Sequence, residues 1–301
     1  MKKIAIVGLG LIGGSLALAL KGFEDYKVVG VARRQATVDY AREHGVGDEA
    51  TLDVDSALLE ADVTFLCINP DDIVKFLSDH WEDFKPGSLV TDVCGVKTAI
   101  MEAAQVLPDT VDFIGSHPMA GTEFSGIEHA LVDMFHGAHY IITPAAKSKP
   151  ENIALLERMA HYLGCRDVVN TTPEAHDAII AYTSQMMHVI AVSVCDDPSL
   201  FTCKGYEGSS FRGCTRVAAL DVALWAQLFS LNAPALVERL DVFLEHMRKY
   251  RDVIASGDRG KLTEMLLYSS DRKRKTDLPG PALLHKKEDR PAGAAGGAVF
   301  S

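Results

Sequence analysis

Residues 1–23 read MKKIAIVGLGLIGGSLALALKGF, and the change of character at their glycines decides the fold. KKIAIV is a short apolar run rich in β-branched residues that ends at Gly8, and beyond Leu11 the apolar residues fall at helical spacing. The stretch therefore reads as strand, turn and helix. The turn, Gly8-Leu9-Gly10-Leu11-Ile12-Gly13, is a G-x-G-x-x-G whose glycines permit a tight turn, close backbone approach to a pyrophosphate and close packing of helix on strand. The helix that follows offers free N–H groups to an anion. Such a pattern alone also arises by chance or as a packing loop, but between a strand and a helix it points to a dinucleotide-binding Rossmann unit.

Working outward, YKVVGVARR (26–34) reads as the second buried strand. An acidic residue at its end would bond an adenosine ribose hydroxyl, yet Ala32 stands there and Arg33 and Arg34 follow. Two guanidinium groups suit a 2'-phosphate, so NADP is favoured with NAD still open; the alternative is a pair of solvated arginines. Further strands are expected at DVTFLCINP (62–70), SLVTDVCG (88–95), DFIGSHPM (112–119) and HYIITPA (139–145), with amphipathic segments such as PDDIVKFLSDHWEDF (70–84) between the early ones. Strands alternating with helices predict a doubly wound, mostly parallel α/β sheet, and ENIALLERMAHYLGCRDVVN (151–170) adds one more helix and strand. From TTPEAHDAIIAYTSQMMHVIAVSV (171–194) onward the pattern is helical throughout, with Thr171 or Thr172 ahead of Pro173 and Glu174 as a helix start. The expected organisation is a Rossmann domain over 1–171, an all-helical domain over 172–276, and a Pro- and Gly-rich tail over 277–301 that is expected to be disordered.

Composition narrows the function. A chain of 301 residues with 48% hydrophobic content can bury a core in one or two domains. Its net charge of -11, with basic residues scattered apart from DRKRKTD (271–277), argues against nucleic acid as a partner. No apolar stretch reads as long enough to span a bilayer, and the N-terminal segment lacks a cleavage site, so neither a membrane nor export is expected. The six cysteines form no C-x-x-C pair, which fits thiols in a reducing cytoplasm, and no ligand cluster asks for a metal. The long apolar helical segments between 172 and 270 bury too little against one Rossmann layer, which favours a homodimer over a compact monomer.

GSHPMAGTE (115–123) follows the strand DFIG, at the sheet edge where open α/β sheets bind ligands. His117 there can take a proton near neutral pH, as the oxidation of an alcohol requires. Pro118 holds the backbone beside it extended, and Gly121 permits a turn that returns Glu123 toward the site. On the first helix of the second domain, Ser184, Gln185 and His188 are spaced to share one face. Further on, SSFRGCTRVAALDVALW (209–225) carries Arg212, Arg216 and Trp225, arginine being the natural bidentate ligand of a carboxylate.

Taken together, GLGLIGGS (8–15), HPMAGTE (117–123), HDAIIAYTSQMMH (176–188) and TRVAALDVALW (215–225) resemble, in order and approximate spacing, the prephenate/arogenate dehydrogenases of tyrosine biosynthesis, over nearly all of residues 1–276. HPMAGTE is the most specific of these elements. The resemblance implies a Rossmann domain, a helical domain that forms a dimer, and an active site between them, with no metal. It makes His117 the catalytic histidine that accepts a hydrogen bond from the substrate's ring hydroxyl. His188 is then a substrate-binding histidine, Arg216 the arginine that holds a substrate carboxylate, Glu123 an acidic residue gating the pocket, and Trp225 part of the pocket wall near the dimer interface. The implied reaction is the oxidative decarboxylation of prephenate to 4-hydroxyphenylpyruvate, or of arogenate to tyrosine.

Two positions depart from that family. Where its members carry D-x-G-S-V-K, this chain has DVCGVK (92–97), with Cys94 and Gly95 in place of Gly and Ser; where they often carry S-H-x-P-H, this chain has SQMMH (184–188). The base and the arginine are untouched by either change. Two other readings stay in view. A β-hydroxyacid dehydrogenase would need a catalytic lysine that TSQMMHVIAVSV (183–194) lacks, and a non-catalytic NADP-binding sensor would have no use for a histidine and an arginine on opposing domains.

Overall fold

A computed structural model of the chain describes residues 1–122 and 124–277. The expected strands form and a short one joins them: β1 (Lys2–Val7), β2 (Tyr26–Val31), β3 (Glu49–Thr51), β4 (Val63–Leu66), β5 (Leu89–Asp92), β6 (Asp112–Pro118), β7 (His139–Pro144) and β8 (Asp167–Asn170). They make one sheet in the order β3-β2-β1-β4-β5-β6-β7-β8. All neighbours pair in parallel except β6 and β7, which run antiparallel with His117 opposite Ile141. The reversal follows from the connection: among its described residues the β6–β7 segment holds only a single 3-10 turn, Ile127–His129, and an antiparallel neighbour needs no crossover helix. The added strand β3 is a three-residue edge strand carrying a glutamate, too short to show a period of two.

Helices α1 (Leu11–Ala19), α2 (Gln35–Glu43), α3 (Val54–Glu60), α4 (Pro70–Asp79), α5 (Thr98–Ala103) and α6 (Pro150–Tyr162) connect the strands. Their starts follow local chemistry. Both α4 and α6 place Pro at the first helical position and acid in the first turn, Asp71 and Asp72 in α4 and Glu151 in α6, where no N–H is lost and the helix dipole favours negative charge. Alternation along β1 divides the interior in two. Ile4 and Ile6 pack with Leu16, Leu20, Val28 and Leu156 on one face, while Val7 packs with Leu58, Leu66, Ile73 and Leu77 on the other. The sheet is thus buried on both faces, as a doubly wound parallel sheet must be. Because β1 lies between β2 and β4, the strand order reverses there, and the crevice beyond the carboxyl ends of β1 and β4 is the switch point at which such sheets take ligands.

After β8 the described chain is helical: α7 (Pro173–Ile180), α8 (Met186–Cys195), α9 (Ser209–Thr215), α10 (Val222–Leu231), α11 (Ala233–Ser256) and α12 (Arg259–Asp277). Thr172 caps α7 by accepting from the Ala175 N–H, ahead of Pro173. A π turn at Ala181–Gln185 joins α7 to α8. The resulting helix, Pro173–Cys195, has a mean hydropathy of 1.5 and is long and apolar enough to cross a membrane, which corrects the expectation that no stretch is. Its polar residues His176, Asp177 and Gln185 are buried in bonds to the rest of the fold, whereas Ile179 and Tyr182 are 60% and 57% exposed and 28% of its apolar window is buried.

By contacts the chain divides into a compact unit, Met1–Asp241, and a second beginning at Val242. The first holds the sheet and helices α1–α10. In the second, the Tyr250 hydroxyl of α11 bonds to Ser269 Oγ of α12 at 2.9 Å. The tail expected over 277–301 lies outside the described residues except for Asp277, which ends α12.

Candidate active site

The glycine loop is shaped by necessity at two of its three glycines. Gly8 has φ +98°, and a Cβ there would lie 2.5 Å from the Cys67 carbonyl oxygen; a Cβ on Gly13 would overlap the Gly8 carbonyl. At Gly10 nothing lies within 4 Å of the Cβ position, so the backbone opens onto free space there. Gly10 is also the N-cap of α1, with no side-chain capping bond and no acidic residue in the first turn. An uncapped helix start behind an open glycine is a cradle that fits a pyrophosphate. Leu9 turns its side chain inward against Gly30, while Leu11 and Ile12 are partly buried, so all three can serve an anion only through the backbone. At the end of β2, Ala32 is buried and Arg33 and Arg34 are exposed; the nearest acid to Arg33 is Asp72, at 3.8 Å. Arg34 N-caps α2, again with no side-chain cap and no acid in the first turn.

His117 stands at the end of β6, at the same sheet edge as the glycine loop, partly buried. What orients its ring is a pair of residues that sequence reasoning missed. His117 Nδ1 lies 2.9 Å from His176 Nε2, and His176 Nδ1 lies 2.8 Å from Asp177 Oδ1. Asp177 is itself pinned, because its Oδ1 accepts from the Lys97 N–H and its Oδ2 from the Thr98 N–H, each at 2.8 Å. These bonds hold its carboxyl below the ordinary carboxylate range against the opposing effect of burial. The carboxylate can only accept, so His176 carries its proton on Nδ1 and presents a bare Nε2; His117 then carries its proton on Nδ1 and presents a bare Nε2 outward. Burial first, then the neighbouring His176 and Lys97, hold the His117 pKa well below 6.5, with Asp177 opposing. The arrangement is a neutral imidazole with a free acceptor at neutral pH, which is what a general base needs.

Gly95 is the residue beside that ring: a Cβ there would meet His117 Cε1 at 3.9 Å and Leu228 Cδ2 at 3.5 Å. Its neighbour Cys94 is buried, and burial pushes its thiol up to about 12, so it is a neutral packing residue.

A second group gathers on α8 and α10. His188 stacks on Trp225 with ring centroids 3.6 Å apart, and its Nδ1–H donates to the Ser184 carbonyl at 3.0 Å. Burial, and the charge of nearby Arg216, lower the His188 pKa. Arg216 is exposed in a 3-10 turn that follows α9, and Arg212 donates to the Glu207 carbonyl. Gln185, three residues before His188, also faces α10. It is buried with its amide donating to the Leu228 carbonyl and its oxygen accepting from Asn232. Asn232 also donates to the Asp177 carbonyl at 2.9 Å, which ties α10 to the histidine pair. Glu123 lies outside the described residues.

Comparison with known proteins gives the family. Residues 16–169 match the family model described as the prephenate dehydrogenase nucleotide-binding domain, and residues 172–267 match the prephenate dehydrogenase dimerization domain. A cyclohexadienyl dehydrogenase from Zymomonas mobilis is 34% identical over 87% of this chain and 92% of its own length. Among solved structures, Synechocystis arogenate dehydrogenase superposes with a TM-score of 0.78 at 31% identity, covering 91% of this chain and 99% of that one. The Aquifex aeolicus prephenate dehydrogenase in complex with hydroxyphenyl propionate and NAD+ gives 0.82 at 26% identity, over 92% and 99%. Two consecutive family models spanning most of the chain leave one assignment: the chain belongs to the prephenate dehydrogenase family.

Proposed function

We propose that this chain oxidatively decarboxylates prephenate to 4-hydroxyphenylpyruvate with a nicotinamide dinucleotide as oxidant. The observation that carries the reading is the Asp177–His176–His117 chain, which presents a bare His117 Nε2 at the sheet edge that also holds the glycine loop. When bound, the nicotinamide takes up the hydride from the ring carbon that bears the hydroxyl. His117 Nε2 accepts the hydroxyl proton, and the Asp177 carboxylate favours the imidazolium that results. Loss of the ring carboxylate as CO2 follows because it makes the ring aromatic. His117 then returns its proton to the phenolate oxygen, so no net proton is taken up or released.

Around that step, Arg216 holds a substrate carboxylate, His188 and Trp225 line the pocket, and Glu123 gates it. The backbone of Gly8–Gly13 receives the pyrophosphate. Arg33 and Arg34 favour NADP, since both are exposed and, among the described residues, only Arg33 has an acid near it, at a long 3.8 Å. The division near 171/172 follows the end of strand structure and the junction of the two family matches. A homodimer through the helical part is supported by the dimerization-domain match and by bare apolar side chains at Phe201, Tyr206 and Val222, which are 86%, 89% and 76% exposed. Six free cysteines suit the cytoplasm. Arogenate is the second reading, favoured by the likeness to the Synechocystis enzyme.

Initial rates with prephenate and arogenate, each against NAD and NADP, test all of this together. Prephenate with NADP should be fastest, and Arg33→Ser/Arg34→Ser should shift the NADP/NAD ratio toward NAD by about 10-fold or more, the scale of losing charge-assisted phosphate contacts. Cofactor binding with no turnover of either substrate would contradict the reading and favour a sensor.

A further inference from the structure

The family assignment accounts for the glycine loop and His117 but gives no task to the most completely buried charge in the fold. Lys97 has no exposed surface, and its ammonium forms an ion pair with Asp92, also fully buried. Ions are costly to bury, and a well-packed apolar pair would serve stability as well or better. The same ammonium donates to the Ser116 carbonyl at 2.7 Å, one residue before His117. Asp92 accepts from the Ser116 N–H at 3.2 Å and the Cys94 N–H at 2.8 Å. The Ser116 hydroxyl bonds to the Asp92 carbonyl at 2.6 Å and to the Tyr140 hydroxyl at 2.8 Å. Lys97 also passes its side chain over Gly115, where a Cβ would lie 3.1 Å from Lys97 Cδ. Its backbone N–H meanwhile holds Asp177 Oδ1, the oxygen that fixes His176. One residue thus grips both ends of the base, the β6 backbone from which His117 projects and the carboxylate that sets its tautomer.

We propose that Lys97 is a positioning residue for His117: with Asp92 it clamps the Ser116 peptide, and with its own amide it anchors Asp177, so that His117 Nε2 stays bare and aimed outward. The inference rests on His117 being the base of the proposed reaction. The charged or titratable groups around His117 are His176 and Asp177 from α7, Lys97 and Asp92 from the β5–α5 segment with Cys94 between them, and Tyr140 from β7 behind Ser116. Among these, after burial and His176, the Lys97 cation lowers the His117 pKa, whereas Asp177 raises it. Removing the Lys97 charge should therefore raise the His117 pKa and move the acid limb of kcat/KM to higher pH.

The test compares the native chain with Asp92→Asn/Lys97→Met, which replaces the ion pair by a neutral pair of similar volume. Two readouts are taken: imidazole 15N NMR titration of His117 in the cofactor-free protein, assigned by its loss in His117→Asn, and the pH profile of turnover. The expected result is a raised His117 pKa and a kcat lowered about 10-fold or more, with KM and NADP affinity little changed. Should that pair fail to fold, Lys97→Gln keeps a donor for the Ser116 carbonyl without the charge, and a raised His117 pKa is expected there too. A folded variant whose His117 titrates and turns over like the native protein overturns the proposal. The NMR titration needs no turnover, so an inactive native chain would refute the proposed reaction while still judging Lys97.

Discussion

His117→Asn is expected to lower kcat at least ~100-fold, the usual scale for removing a general base, while NADP affinity and thermal stability stay close to native. Asparagine can still meet His176 Nε2 through its amide, so the local bond is retained in kind. What it lacks is the bare imidazole nitrogen that takes the hydroxyl proton. Steady-state kinetics beside a cofactor titration checks this, and near-native turnover would remove His117 from the chemistry.

Asp177→Asn is expected to cost at least about 10²-fold in kcat although Asp177 touches neither substrate nor cofactor, by the logic of a tautomer-setting carboxylate. Both Asp177 oxygens accept: Oδ1 from the Lys97 N–H and His176 Nδ1, Oδ2 from the Thr98 N–H. An asparagine must turn its NH2 toward one of these sites. Facing Thr98, it sets donor against donor beneath the site; facing His176, it forces the proton onto His176 Nε2, which drives the His117 proton onto its own Nε2 and blocks the base. The fall should appear in kcat with KM little changed, and a native pH profile in this variant would separate His117 from the pair behind it.

Much of the fold was legible because its signals are local. β1 and α1 meet at glycines whose Cβ positions are occupied by Cys67 and Gly8, and the fully buried parallel strands VTFL and LVTD are built mostly of apolar and β-branched residues. The antiparallel turn of β7 was not legible, since strand direction depends on how a connection crosses the sheet and not on the strand's own residues. In the site, His117 announced itself by its place after a strand. His176 and Asp177 did not, because a His-Asp pair at a helix start looks like ordinary capping polarity until the fold brings it beneath β6. The available signal was two polar residues at the head of an apolar helix that buries them.

The most direct test of the central claim is the pH dependence of kcat/KM for prephenate, which reports the base in the free enzyme. A base must be neutral to act, and burial with His176 and Lys97 holds His117 well below 6.5, so its acid limb is displaced to lower pH. The predicted profile is flat from about pH 8 down to 6.5, with the fall in rate well below 6.5 and absent from the residual activity of His117→Asn. A limb centred at or above 6.5, or one that persists unchanged in His117→Asn, would contradict the account.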